Sequence, residues 1–322
     1  FTYILFFIYN FKDIILSSSR QYFQTNSDIF HFNLKKININ YLIAIAAASG
    51  LYLELMMIRI HSSFFQIFAF FKNISLISCL LGLGVGYLLG KKQIYSLKWV
   101  LPLLTLQICF LFFIKNTPIG PFLQNPVTEQ WAMGQSYASG LIQFIIIYCF
   151  LIVIFIFNAM AFVPLGHLVS NLMSKQGKLQ SYSWNLIGSL SGIILFSLMS
   201  WMMTPPVLWF FVGFLIIFYL QKKNLIDLSF SVISLTVIIF LFISTKSVNK
   251  EDFYSPYQVI TVEHYPNNNL SIKASNLWFQ SPHDFRENTN WNSYFVPFKV
   301  TKIKPNNILV VGSGTGNDVA YA

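Results

Sequence analysis

Charged side chains are scarce in this chain: Asp, Glu, Lys and Arg together make up 10% of its 322 residues. A water-soluble domain carries roughly a quarter, so a protein that is soluble throughout is excluded. Cysteine is sparse too. Cys79, Cys109 and Cys149 each lie inside an apolar run, and no Cys-x-x-Cys occurs. That leaves no basis for a disulfide framework or a thiolate metal site. The histidines (His31, His61, His167, His264 and His283) show no ligand spacing. Each reads as a surface or interfacial residue, and no metal is expected. What the chain has instead is apolar bulk: 55% hydrophobic residues and a mean hydropathy of +0.59. Its wealth of Phe, Ile, Asn and Lys reads as compositional drift, so single aromatic residues carry little weight.

The net charge is +10, yet its placement argues against nucleic acid. Between Tyr41 and Ser244 ten Lys and Arg stand against three Asp and Glu, most of the cations in short loops between apolar runs. That arrangement fixes membrane orientation; it is not a basic groove interleaved with stacking aromatics.

Four regions follow from the composition. Residues 1–37 are an N-terminal segment, apolar over Phe1–Leu16 but broken by Asn10, Lys12 and Asp13, then polar up to Lys35-Lys36. The segment lacks the small-residue cleavage site of a signal peptide. Residues 38–245 read as a transmembrane helical bundle, since a span needs about 20 mostly apolar residues. Seven spans are expected: Tyr41–Ile60, Ile74–Gly90, Trp99–Ile114, Ala138–Val163, Trp184–Met203, Val207–Leu220 and Leu225–Ser244. Thr204-Pro205-Pro206 breaks the fifth from the sixth into a hairpin, because proline cannot continue the helix ladder. Asn116–Tyr137, rich in Pro, Gly and Gln, is the one long connection.

Lys35-Lys36, Lys91-Lys92, Lys175 with Lys178, and Lys222-Lys223 fall in alternate loops, which makes those loops cytoplasmic. The rule is self-consistent through six spans. The seventh delivers the C-terminal part to the outside, so either Leu225–Ser244, which carries Asp227, does not cross, or that part is external. The expected location is a multi-pass position in a bacterial inner (plasma) membrane.

Residues 246–304 change character. The alternating runs Gln258–Val262 and Leu270–Lys273 suggest antiparallel strands. Pro266-Asn-Asn-Asn269 supplies the turn between them, so a small β-hairpin module is expected. Glu263-His264 and His283-Asp284 resemble acid–base pairs, but neighbours on a strand point to opposite faces and read as solvated.

Residues 305–322 carry the most pointed motif. Ile308–Val311 reads as a strand covered on both faces. Gly312, Gly314 and Gly316 follow at alternate positions, with Ser313 and Thr315 between them. A turn without Cβ atoms lets a ligand approach the backbone closely, and the helix start beyond it presents free N–H groups. A dinucleotide loop wants Gly-x-Gly-x-x-Gly, whereas the residue at the last of those positions is Asn317. The spacing therefore favours an S-adenosylmethionine type of Rossmann-like fold over NAD. The chain opens on Phe1 rather than Met and stops just past this turn, so both ends read as cut. Most of the soluble machinery is expected beyond Ala322, and the stretch itself is expected to be inactive.

The ordered set of motifs resembles membrane-anchored spermidine synthase-like proteins, in which a polytopic bundle precedes an aminopropyltransferase-type domain. Ser49-Gly-Leu-Tyr-Leu-Glu54 to Arg59 resembles the first-helix signature, Leu81-Gly-Leu-Gly-Val-Gly86 the glycine-rich second helix, and Asn185-Leu-Ile-Gly-Ser189 a later helix. Ser255-Pro-Tyr-Gln258, Asn276 to Gln280, Pro297 and Ile308–Asp318 follow in the family's order. The resemblance implies a transferase whose donor is S-adenosylmethionine or its decarboxylated form, with an amine or other small acceptor. It implies cofactor-loop roles for Gly312, Ser313, Gly314, Thr315 and Gly316, and pocket roles for Gln258 and Gln280. The chain departs from the soluble spermidine synthases in two places. Its loop is Gly-Ser-Gly-Thr-Gly rather than Gly-Gly-Gly-Asp-Gly, and Asn292–Pro297 lacks the acid that would hold a cationic amine. Aminopropyl and methyl transfer therefore both stand, beside a transporter, sensor or scaffold that binds an adenosyl ligand and a methyltransferase acting on a lipid or quinone.

Two readings of the spans stay open. Glu54, inside the first, is a functional-site candidate by its position or a charge that is paired or snorkels, as is Arg59 at the span's end. Gly82, Gly84, Gly86 and Gly90, with Gly188, Ser189, Ser191 and Gly192, read chiefly as helix-packing positions.

Overall fold

The computed structural model describes residues 38–65, 67–89, 97–123, 140–221, 225–244, 249–266, 269–275, 277–285, 294, 296–301 and 305–322. The N-terminal segment 1–37, the pairs Lys35-Lys36, Lys91-Lys92 and Lys222-Lys223, Asn276, and residues 124–137 of the long connection lie outside them.

Asn38 starts the first helix by accepting the Asn40 N–H on its side-chain oxygen at 3.1 Å, the N-cap role. Helix α1 (Ile39–Phe64) then runs 26 residues, about 39 Å at 1.5 Å per residue, enough to cross a hydrocarbon core of about 30 Å. After a single turn, α2 (Ile67–Phe70), come α3 (Lys72–Leu89), α4 (Val100–Lys115), α5 (Leu141–Met173), α6 (Lys178–Trp201), α7 (Pro206–Leu220) and α8 (Leu225–Ser244). Among the described residues, five stretches are long and apolar enough to cross a membrane: α1, α4 with its preceding 3₁₀ turn, α5, α6 and Asp227–Ser244 of α8. Apolar helices α3 and α7 are shorter. All seven expected spans are thus helices, and the chain is a membrane protein.

Contacts fix the helix directions. Gly188 and Gly192 of α6 lie on Ala44 and Ala48 of α1, so these two run parallel. Gly82 and Gly86 of α3 lie on Ala159 and Val163 of α5, a second parallel pair, whereas Gly50 meets Leu83 and His61 meets Ser75, so α1 and α3 are antiparallel. A Cβ on Gly82 or Gly188 would sit 2.2 or 2.1 Å from a backbone oxygen of the facing helix. Glycine there is what permits the backbones to touch. Gly84 meets nothing within 4 Å, so the alternating glycines of α3 do not all serve packing.

The proline break is present, with Met203 at φ 54° and α7 starting on Pro206, where a missing N–H costs nothing. The two helices it joins do not form a closely packed hairpin; each lies on α1 instead. Helix α8 is embedded like the rest. Ser231 near its start donates to Gln221, and Phe242 near its end stacks edge-on against Phe112 at 5.4 Å. Of the two alternatives left by loop charge, the length and composition of α8 favour a crossing helix, and its Asp227 sits in the first helical turn, where a negative charge suits the helix dipole. The buried centre of the bundle is built on α1, with Tyr52, Met56 and Ile60 fully enclosed against Phe162, Trp209 and Phe210.

Beyond α8 the hairpin module proves larger than expected: an antiparallel meander of four strands, β1 (Lys250–Tyr254), β2 (Val259–His264), β3 (Leu270–Ala274) and β4 (Leu277–Gln280), paired in chain order. Short helices α9 (Val296–Val300) and α10 (Asn317–Tyr321) follow. Glu263 is not solvated as expected. Only 5% exposed, it receives Lys250 and Lys273 at 2.7 Å each and the Tyr265 hydroxyl at 2.8 Å. Lys250 faces Glu263 directly in the β1–β2 register, and Lys273 stands on β3 two residues beyond Ser271, which faces Glu263. His264 beside it is exposed and 3.8 Å from Glu251.

Candidate functional site at the glycine turn

Residues 308–311 do not form the covered strand that the apolar run predicts. They carry no strand pairing among the described residues, and Leu309 and Val311 are almost fully exposed. The physical reason is simple. A strand covered on both faces needs neighbours to pair with, and among the described residues β1–β4 pair only among themselves.

The turn itself is as the glycines require. Gly312, Gly314 and Gly316 take φ of 71°, 54° and 84°, a left-handed region costly to residues with a Cβ. The Gly316 N–H donates to the Ser313 carbonyl at 2.8 Å, closing the turn just before α10. Gln280, the last residue of β4, reaches across 35 positions to accept the Thr315 N–H at 2.8 Å. A Cβ on Gly314 would lie 2.1 Å from that same amide oxygen. The sequence reading of Gln280 and of the glycine positions therefore converges on one contact. Thr315 adds a hydroxyl sealed from solvent without a hydrogen-bond partner among the described residues.

Asn317 is the residue that sequence reasoning undervalued. It is 3% exposed, accepts the His283 N–H at 2.9 Å, and donates to the Ser281 carbonyl at 2.8 Å and the Tyr294 hydroxyl at 3.1 Å. The available signal was a polar amide directly after the third glycine, read only as evidence against a dinucleotide. Phe285 packs edge-on against Tyr294 at 5.8 Å and Tyr321 at 5.3 Å, which gives this small unit an aromatic floor.

Gln258 stands elsewhere. It lies exposed in the turn before β2, where its N–H and carbonyl are both tied to the Ser255 hydroxyl. Gln280 pairs with Ile272, which pairs with Val262, four residues beyond Gln258. Two strand spacings and four residues of strand separate the glutamines by roughly 15 Å. The structure does not join Gln258 to the glycine turn.

Gln258's turn faces the membrane bundle instead. Arg59, near the end of α1, donates to the Ser255 carbonyl, and Tyr254 packs edge-on against Trp209 of α7 at 5.9 Å. Burial there pushes the Tyr254 phenol up to about 12. The sheet thus sits at the C-terminal end of α1, on the side opposite its lysine-flanked start, and Arg59 is a tether rather than a snorkelling charge. Glu54 does not snorkel either, at 2% exposed. Comparison of the chain with family models, with curated proteins and with solved structures gave no match in any of the three.

Proposed function

We propose that this is a membrane-anchored transferase of the spermidine synthase-like kind. It holds an S-adenosyl-type donor, S-adenosylmethionine or its decarboxylated form, at the Gly312–Gly316 turn within a Rossmann-like domain. The observation that carries this reading is the Gln280–Thr315 contact against Gly314. A strand-end side chain holds the turn in its left-handed shape, and the buried Thr315 hydroxyl is left seeking a partner. An unsatisfied buried polar group is costly, so a ligand hydroxyl or amine that pairs with it gains that cost back.

The chain's own residues supply binding and position. Gln280 and Asn317 brace the turn, and Thr315 offers a hydrogen bond. The donor supplies an activated carbon: the acceptor's lone pair forms the new bond as the carbon–sulfur pair returns to sulfur, leaving a neutral thioether, and an amine acceptor loses its proton. Such a displacement is accelerated mainly by holding the partners in line. A second reading, a transporter or sensor whose adenosyl-binding domain reports to the bundle, is favoured by the Arg59–Ser255 tether.

Calorimetry on the full protein in lipid nanodiscs, with each donor in turn, tests the proposal. Saturable binding that Gly314→Ala abolishes supports it, and failure to bind either donor overturns it. Turnover with an amine acceptor separates transferase from sensor, since a sensor binds without consuming the donor.

A further inference from the structure

A connected set of polar side chains lies within the bundle, well away from the glycine turn. Asn158 of α5 donates to the Ser78 hydroxyl at 2.7 Å, the Cys79 sulfur at 2.9 Å and the Ser75 carbonyl at 3.2 Å. The Ser75 hydroxyl lies 2.6 Å from His61 Nδ1. Gln107 of α4 donates its amide nitrogen both to His61 Nε2 at 3.0 Å and to the Ile154 carbonyl at 3.3 Å. That second bond fixes the amide's orientation, so His61 Nε2 is the acceptor and Nδ1 carries the proton to Ser75. Five of these side chains (His61, Ser75, Ser78, Gln107 and Asn158) are at most 2% exposed.

Glu54 stands at one end of this set, within electrostatic range of Cys79 and seven residues, about 10 Å, before His61 on the same helix. Its Oε2 is buried without a hydrogen-bond partner among the described residues, and so is Asn158 Oδ1. No salt bridge to Glu54 occurs among those residues. The titratable groups around it leave it uncompensated. On α1 itself Arg59 turns to Ser255, Tyr52 donates to the Trp209 carbonyl, and His61 is neutral by its bonding. Among the described side chains, α3 brings the Cys79 thiol and carries Tyr87 about two turns beyond it, α5 carries His167 two and a half turns beyond Asn158, and α6 and α7 carry no Asp, Glu, Arg or Lys between Leu179 and Leu220. A bare carboxylate so enclosed is very costly, and an ionisable group inside a membrane marks a site.

We propose that Glu54 and the surrounding α1–α3–α5 polar cluster form an intramembrane proton site, with the Glu54 carboxyl as the group that takes the proton. Three buried acceptor oxygens of this set, Glu54 Oε2, Gln107 Oε1 and Asn158 Oδ1, lack a donor among the described residues, and a proton on the Glu54 carboxyl removes the one negative charge among them. The hydroxyl, amide and imidazole partners then hold a neutral, hydrogen-bonded interior. This rests on none of the residues invoked for the donor site.

Infrared difference spectroscopy of the full protein in nanodiscs, without any adenosyl donor and free of sodium, tests it. A protonated-carboxyl stretch is expected that titrates with pH, disappears in Glu54→Gln and shifts in Glu54→Asp. Absence of that band at every pH where the protein stays folded overturns the proposal. So does its removal by sodium chloride at constant pH, which would assign the site to a metal cation. Should Glu54→Gln fail to fold, the shifted band of Glu54→Asp and the pH dependence of the unsubstituted protein still decide.

Discussion

Arg59 and Ser255 lie 196 residues apart, and the guanidinium of one donates to the carbonyl of the other. This bond joins the end of the first membrane helix to the first turn of the sheet module. A hydrogen bond from a charged donor contributes about 1.5–3 kcal/mol. Arg59→Ala is expected to release the 255–258 turn while leaving the bundle folded. Hydrogen exchange at Gln258, whose N–H is held by the Ser255 hydroxyl, should rise at least tenfold, with exchange in α1 unchanged before Ile58. Equal protection in both proteins would show that the Tyr254–Trp209 contact holds the module by itself.

Helix pairs seated on glycine make a sharper stability prediction. In Gly188→Ala the new Cβ would lie 2.1 Å from the Ala44 carbonyl oxygen, which is backbone and cannot swing aside. Overpacking of this kind costs about 1–3 kcal/mol, and Gly82→Ala against Ala159 should cost similarly. Gly84→Ala is the control, because nothing lies within 4 Å. There the helix-forming preference for alanine adds up to about 1 kcal/mol. Thermal unfolding in one detergent should therefore rank Gly84→Ala at or above the unsubstituted protein and the other two below it.

Much of this architecture was legible because the membrane imposes one strong rule. Apolar runs long enough to cross are helices, so Tyr41–Ile60 and Trp99–Ile114 needed no tertiary information. Strands β2 and β3 were equally visible through their alternation and the turn between them. Pairing was not. The fate of Ile308–Val311 depends on which strands lie beside it, and an apolar run does not state its neighbours. Gln280 and Gly314 were both singled out, but only the folded chain brings them into contact. The reading of Glu263 as solvated failed for a related reason: its two lysine partners come from β1 and β3, ten residues or more away. The direction of the seventh span, the one left open by loop charge, follows from a contact such as Phe112–Phe242, which brings the ends of α4 and α8 together.

Glu263 predicts an acid response confined to the sheet. Its burial raises the carboxyl, but hydrogen bonds from Lys250, Lys273 and Tyr265 outweigh that and bring it from the ordinary 4.5 down to about 2. A group depressed on folding contributes stability that is complete above its unfolded value. That contribution is lost as pH falls from about 4.5 towards about 2. Amide exchange in β2 and β3, taken relative to the intrinsic rate at each pH, should accelerate as pH falls. In Glu263→Gln the acceleration should be weaker, from a lower starting stability. A sheet equally protected across the window in the unsubstituted protein would contradict the pairing.

Asn317 offers the most direct test of whether the glycine turn is held for a ligand. Its amide serves three partners at once, the His283 N–H, the Ser281 carbonyl and the Tyr294 hydroxyl. Each buried bond contributes about 1 kcal/mol, and a partner left unpaired costs more. Asn317→Ala removes all three, so the turn loses its attachment to the segment after β4 while Gln280 still holds Thr315. Binding of the adenosyl donor is expected to weaken by tenfold or more. Asn317→Asp keeps the acceptor for His283 and loses the two donated bonds, and should fall between. Gln280→Leu attacks the other brace, leaving the Thr315 N–H without its partner, and should weaken binding independently. If all three variants bind the donor as the unsubstituted protein does, the turn is held for its own structure and the ligand lies elsewhere.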